Sequence, residues 1–159
     1  VFDLDGVLFD VSERLKRCLE DVGATSFNDI PKAKKREFWN CFLSTKYMHL
    51  DIPNAEVIEY LKELREKGVR IIIITGRRED TQKECTLRQL EEAGVEFDEI
   101  YFRPPNYFKR DYEFKSEIVK ELISKGYEIL EFWDDSESVI EAMKELLPNA
   151  RIVYYKVGD

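Results

Sequence analysis

The sequence predicts an α/β protein: a three-layer α/β/α sandwich around a mostly parallel sheet, with a small two-helix insertion after the first strand. Three observations carry this expectation. Short apolar runs alternate with helix-period segments, which implies right-handed crossovers between parallel strands. Ile71-Ile72-Ile73-Ile74 is β-branched and has no polar alternation, the pattern of a strand covered on both faces. Residues 11–50 break the alternation with two helical patterns and no strand between them.

In chain order, Val1–Leu4 opens as a strand and runs into Asp3, Asp5 and Gly6. Helices are expected near 12–22 and 31–44. The next, 54–67, follows Pro53, carries Val57, Ile58, Leu61 and Leu64, and stops at Gly68. After the isoleucine strand, 79–93 carries Cys85, Leu87, Leu90 and Ala93 and stops at Gly94. Phe97–Phe102 is a strand; 114–125 is a helix with Ile118, Val119, Leu122 and Ile123, stopped at Gly126. Ile129–Trp133 is a strand, 137–147 a helix ending at Pro148, and Ile152–Lys156 the last strand. Residues 1–10 and 51–159 thus form the core. The 11–50 insertion is a cap on it, because 40 residues bury little core alone.

At 159 residues, 43% of them hydrophobic, the chain is long enough for one well-packed domain. No apolar run approaches the ~20 residues of a membrane span. A net charge of −8 argues against broad binding to nucleic acid or anionic membranes. The local cluster Lys32, Lys34, Lys35 and Arg36 reads as a solvated helix face. Three widely spaced cysteines, Cys18, Cys41 and Cys85, without a CxxC, read as free thiols in a reducing, cytoplasmic setting. A charged fraction of 36%, rich in Glu and Lys, leans towards a thermophile. His49 is the sole histidine and reads as a surface residue, not a zinc ligand. No dinucleotide fingerprint or Walker loop occurs.

Chemistry is expected at the strand ends, because open parallel sheets bind ligands beyond the carboxyl edges of their strands. Asp3 and Asp5 lie at positions i and i+2 and can face one cavity, where two acids need a cation or a shared proton between them. A calcium loop does not fit: its fifth, sixth and twelfth positions would be Val7, Leu8 and Arg14. The isoleucine strand ends in Thr75-Gly76-Arg77, and Ile129–Trp133 ends in Asp134-Asp135-Ser136. Lys115 starts a helix between these two strands, with Lys109 as the alternative. A carboxylate nucleophile, an acid-bound divalent cation, a hydroxyl and an ammonium are what phosphoryl transfer requires.

These four signals, Asp3-Leu4-Asp5-Gly6-Val7-Leu8, Thr75, Lys115 and Asp134-Asp135, resemble the motifs of the haloacid dehalogenase-like (HAD) phosphohydrolase superfamily, with its Rossmann-like core. The resemblance implies a Mg²⁺-dependent phosphomonoester hydrolase. Asp3 would be the nucleophile forming an aspartyl-phosphate, and Asp5 the general acid and then base. Thr75 and Lys115 would hold the phosphoryl oxygens, with Gly76 beside them. Arg77 would reach the phosphate or the substrate's remote part, or else form a surface ion pair. Metal would sit on Asp3, the Asp5 carbonyl and Asp135, with Asp134 direct or one shell out. Mn²⁺, Co²⁺ and Ni²⁺ are alternatives to Mg²⁺. A phosphomutase shares all four motifs. A non-catalytic module is disfavoured, because all four acids are kept.

The order of elements, and particularly Thr75-Gly76-Arg77-Arg78-Glu79-Asp80, is also similar to the phosphatase domain of polynucleotide kinases. That admits a nucleic-acid end as substrate, although a phosphorylated small molecule is favoured. Trp39, Phe42 and Tyr47 would form the cap's own apolar face rather than stack on a base, and the protein would be a monomer or homodimer without membrane contact.

Overall fold

The computed structural model describes residues 1–158. Its elements are β1 (Phe9–Asp10), α1 (Ser12–Asp21), α2 (Lys35–Phe42), β2 (Ile52–Pro53), α3 (Ala55–Glu66), β3 (Ile72–Arg78), α4 (Glu79–Glu92), β4 (Glu99–Arg103), α5 (Asp111–Ser124), β5 (Glu131–Asp134), α6 (Glu137–Leu146) and β6 (Arg151–Tyr154). β3 pairs in parallel with β4, and β5 with β6. Phe2 bridges in parallel to Ile73 on one side and Trp133 on the other, so the leading segment sits between the two pairs. The spatial order is β4–β3–Phe2–β5–β6, a parallel sheet whose carboxyl edge carries Asp3, Thr75 and Asp134.

Two apolar layers flank this sheet. One contains Phe2, Leu4, Val57, Leu61, Ile71, Ile73 and Trp133. The other contains Ile72, Ile74, Phe114, Val119, Phe132, Val139 and Met143. Alternate isoleucines of β3 therefore enter opposite layers, which is why the run has no polar member. Helices α3, α4 and α5 stop at Gly68, Gly94 and Gly126, each with positive φ.

The expected strand Val1–Leu4 is reduced to a bridge at Phe2, because the chain turns directly after Asp3: the Leu4 carbonyl accepts N–H groups from Val7, Leu8 and Phe9. β3 runs past Ile74 to Arg78, with a register shift between Thr75 and Arg78. α5 begins at Asp111, three residues earlier than its apolar pattern indicates, so Lys115 lies one turn inside the helix.

The insertion forms a small unit with its own core of Cys18, Leu19, Val22, Ala24, Ile30 and Phe38. Its two connections to the body run side by side as the antiparallel pair β1–β2. Cys18 and Cys41 are not free thiols but a disulfide between α1 and α2, with Cα atoms 5.7 Å apart. The sequence reading missed it because pairing depends on how the two helices pack, which spacing does not fix. Cys85 is free.

Candidate active site

The turn after Asp3 is built around Gly6. Its φ of 86° is a left-handed value that side chains rarely adopt, and a Cβ there would run into the Asp135 carboxylate. The same turn buries Asp3 (6% exposed) and anchors its Oδ1 on the Leu4 N–H at 2.8 Å.

Lys115 is 1% exposed, and its Nζ lies 2.6 Å from Asp134 Oδ2, 3.1 Å from Asp3 Oδ1 and 3.3 Å from Asp111 Oδ2. Lys109, by contrast, is exposed and pairs with Glu117. Asp3, Asp134 and Asp135 each offer a carboxylate oxygen within 4.8 Å of the others. Both Asp134 oxygens already accept hydrogen bonds, from Lys115 and from the Ser136 N–H at 3.0 Å. Asp135 is the partly exposed member.

One ammonium does not neutralise this many acids. Burial and then the Asp134 charge push the Asp3 carboxyl well above its ordinary range, outweighing the opposing pull of Lys115. Burial and Asp134 likewise raise Asp135 to about 6. Burial works against the Lys115 ammonium, yet Asp134, Asp3 and Asp111 raise its pKa well above the usual value. Three mutually repelling carboxylates, all hard oxygen donors, fit a divalent cation such as Mg²⁺.

Asp5 faces a different environment. Its Oδ1 accepts from Arg77 Nε at 2.9 Å, Arg77 NH2 at 2.7 Å and Arg14 NH2 at 2.9 Å. Burial would raise this carboxyl, but the Arg77 and Arg14 guanidiniums bring it down to about 2. Among the described residues, Asp5 Oδ2 has no hydrogen-bond partner, and the side chain is 23% exposed. One oxygen is thus fixed and the other is free. Asp5's carboxylate lies outside the cluster formed by the other three acids.

Arg77, expected at the phosphate or in a surface pair, does neither. Its side chain is fully buried, and its guanidinium is used on Asp5, Asp51, Thr86 and Gln89. Gly76 shapes the site by its size: a Cβ would lie 2.9 Å from Asp111 Oδ1. Thr75 is 1% exposed, and its Oγ1 accepts the Arg77 N–H at 3.1 Å, leaving the hydroxyl hydrogen to donate.

Three residues here were not singled out from the sequence. Arg14 reaches Asp5 from the cap, Asp51 pairs with both arginines at 3.1 and 3.2 Å, and Asp111 approaches Lys115. Signals existed for two of them. Arg14 is a charge on the stripe that buries Cys18, and Asp111 stands four residues before Lys115 on one helix face. In the loop before α5, Tyr107 packs on the buried Phe114 of that helix at 5.4 Å, as ordinary packing requires, whereas Phe108 is exposed.

Comparison with the sequences of curated proteins finds no match. Solved structures do match. A chain of the Pnkp1/Rnl/Hen1 complex superposes with a TM-score of 0.70 at 23% identity, over 99% of this chain and 45% of that one. A second structure, of the Pnkp1/Rnl/Hen1 RNA repair complex, is covered to 42%, so this chain spans less than half of either. A protein named as a beta-phosphoglucomutase from Thermotoga maritima gives 0.59 at 22% identity, over 95% of this chain and 82% of that one. A HAD-superfamily hydrolase from Ehrlichia chaffeensis gives 0.59 at 16% identity, over 97% and 89%. At these identities the likeness is one of fold. Sequence similarity goes further: residues 30–150 match the family described as the polynucleotide kinase PNKP phosphatase domain, and the chain belongs to that family.

Proposed function

We propose that the protein is a phosphomonoester hydrolase that works through an aspartyl-phosphate on Asp3, with a divalent cation. The observation that carries this reading is the pairing of Asp3 with Lys115 inside a cluster of acids, next to an Asp5 that has one oxygen fixed and one free. Asp3, Asp134 and Asp135 would hold Mg²⁺, with the Asp5 carbonyl. When bound, it would supply positive charge against the phosphate oxygens and keep the acids ionised.

Asp3 attacks phosphorus, the bond to the leaving oxygen breaks, and an acyl phosphate forms. Lys115, fixed by Asp3, Asp134 and Asp111, sets the direction of the Asp3 carboxylate and offers an ammonium to the transferred group. The Thr75 hydroxyl donates to a phosphoryl oxygen. Asp5 Oδ2 gives a proton to the leaving oxygen and later takes one from the water that cleaves the intermediate. The two arginines favour the carboxylate, the form needed for the second task. The incoming phosphate's negative charge raises the Asp5 pKa and so favours the protonated form needed for the first.

The test is phosphate release from an aryl phosphate with Mg²⁺. Release abolished by chelator and by Asp3→Asn is the expected result. No release from any ester in a panel of sugar phosphates, nucleotides and 3′-phosphorylated oligonucleotides, with Mg²⁺, Mn²⁺ or Co²⁺, refutes the assignment. The likeness to the polynucleotide kinase phosphatase domain makes the oligonucleotide the most informative member of that panel. The same residues serve a phosphomutase, which transfer to a second sugar hydroxyl instead of water would reveal.

A further inference from the structure

The Cys18–Cys41 bond lies beside one of the two arginines that fix Asp5. Arg14, Cys18 and Leu19 are the buried members of α1, and Arg14 stands one helical turn before Cys18. On the facing helix, Cys41 is followed directly by Phe42, the last residue of α2. Arg14 NH1 donates to the Phe42 carbonyl at 3.0 Å, and its guanidinium carbon sits 4.6 Å from the centroid of the Phe42 ring. The other nitrogens of the same side chain reach the body: Nε donates to Asp51 at 3.1 Å and NH2 to Asp5 at 2.9 Å.

The two helices are anchored differently. The end of α2 is held from the body's side by α4, whose Thr81 hydroxyl and Gln82 amide donate to the Leu43 and Phe42 carbonyls at 2.7 and 3.4 Å. α1 is tied to that docked end by the disulfide, and it reaches the body through Arg14. The core between them is small, and α2, at 8 residues, is shorter than the ~12–15 residues at which an isolated helix becomes marginal. The covalent tie therefore carries much of the register between α1 and α2. Cys18 is fully buried and Cys41 half-buried, so an incoming thiolate meets Cys41 Sγ.

We propose that this bond is a thiol–disulfide switch on proton transfer: oxidised, it keeps α1 where Arg14 fixes one oxygen of Asp5; reduced, it releases α1 and that grip. The thiolate of a dithiol reductant attacks Cys41 Sγ, the bond to Cys18 breaks, and Cys18 leaves as a thiolate that takes up a proton. The second thiol of the reductant then displaces Cys41 from the mixed disulfide. Two electrons and two protons have passed to the protein, and the dithiol has become a disulfide. A small-molecule disulfide reverses the exchange. Asp21 Oδ2, held by Lys46 at 2.8 Å and 3.9 Å from Cys41 Sγ, accepts from the new thiol. Arg77 keeps its own hold on Asp5 at 2.7 Å, so reduction lowers activity without ending it. Arg14 is a positioning residue in this scheme. The proposal rests on the phosphatase reading for what Asp5 does, but not for the coupling of the bond to Arg14.

The test compares the wild-type protein in three states: oxidised, reduced with dithiothreitol, and re-oxidised with oxidised glutathione. Each is assayed with Mg²⁺ on nitrophenyl phosphate and on an alkyl phosphate. Nitrophenolate leaves without a proton, whereas an alkoxide needs one from Asp5. Reduction is expected to lower kcat/KM for the alkyl ester about five-fold or more and for the nitrophenyl ester far less, with recovery on re-oxidation. Cys18→Ser/Cys41→Ser should match the reduced protein and ignore dithiothreitol. Cys85→Ser, whose thiol is outside the bond, should respond as wild type. Independently of turnover, the Arg14 Nε–H resonance, assigned through Arg14→Lys, should exchange faster with solvent in the reduced protein. Equal kcat/KM in the two states, equal loss on both esters, or an unchanged Arg14 resonance would overturn the proposal. No turnover of either ester in any state refutes the phosphatase reading, and the resonance still decides the coupling.

Discussion

Arg14 and Arg77 each bridge Asp5 and Asp51, and none of the three side chains Arg14, Arg77 and Asp51 is exposed. Removing one partner of such a network strands a buried charge. Arg77→Ala is therefore expected to cost about 3–5 kcal/mol in chemical unfolding. Arg77→Lys keeps the charge but not the fork on Asp5, so it should lower kcat more than it lowers stability. The acid cluster makes a pH prediction with the opposite sign. Asp135 is raised from 3.8 to about 6, so between those values the folded state holds a proton that the unfolded chain does not. In chelated protein, stability should then rise as pH falls from about 7 to 4, by about 2 kcal/mol. Mg²⁺ should flatten this trend, and Asp135→Asn should reduce it, leaving the part carried by the raised Asp3 carboxyl. Asp5 contributes only further down: its stabilisation is present above 3.8 and lost as pH falls towards about 2. Thermal unfolding across pH, with and without Mg²⁺, distinguishes these trends.

At the scale of elements, the helices were readable. The six expected segments match α1 to α6 to within four residues at their ends, because each carries a 3.6-residue apolar stripe and three have a glycine stop. The short pieces were not. β1 and β2 are two residues each, too short to show periodicity, and exist because the cap's two connections meet. The disulfide lies at the same level. It closes a 23-residue separation, and losing it is expected to destabilise the cap by about 3 kcal/mol. Cys18→Ser/Cys41→Ser should raise amide exchange over residues 19–40 and leave β3 to β6 protected. Equal exchange in the two proteins would show that Phe38 and its neighbours hold the cap without the bond.

For the whole molecule, the parallel sheet gathers residues from 3 to 135 at one edge, and Arg14 of the inserted segment joins it at Asp5. Two consequences are measurable. On the proposed function, Mg²⁺ would bind the assembled acids and not the unfolded chain, so it should raise the midpoint of thermal unfolding in a concentration-dependent way, and Asp134→Asn should abolish the shift. Gly6→Ala combines an unfavourable φ with a clash against Asp135 and should remove both Mg²⁺ binding and activity, even where circular dichroism reports a folded protein.

The sequence by itself determined the layered α/β architecture and pointed to Asp3, Thr75 and Asp134-Asp135 as residues at the carboxyl edge of its strands. All of these rest on local periodicity and on the rule that strand ends converge. Tertiary structure alone decided that Lys115 rather than Lys109 lies against Asp3, that Arg77 turns inward to Asp5, that Arg14 and Asp51 complete that network, and that two cysteines meet. Each of these depends on distances between segments far apart in the chain, 72 residues in the case of Arg77 and Asp5, and no local pattern encodes them.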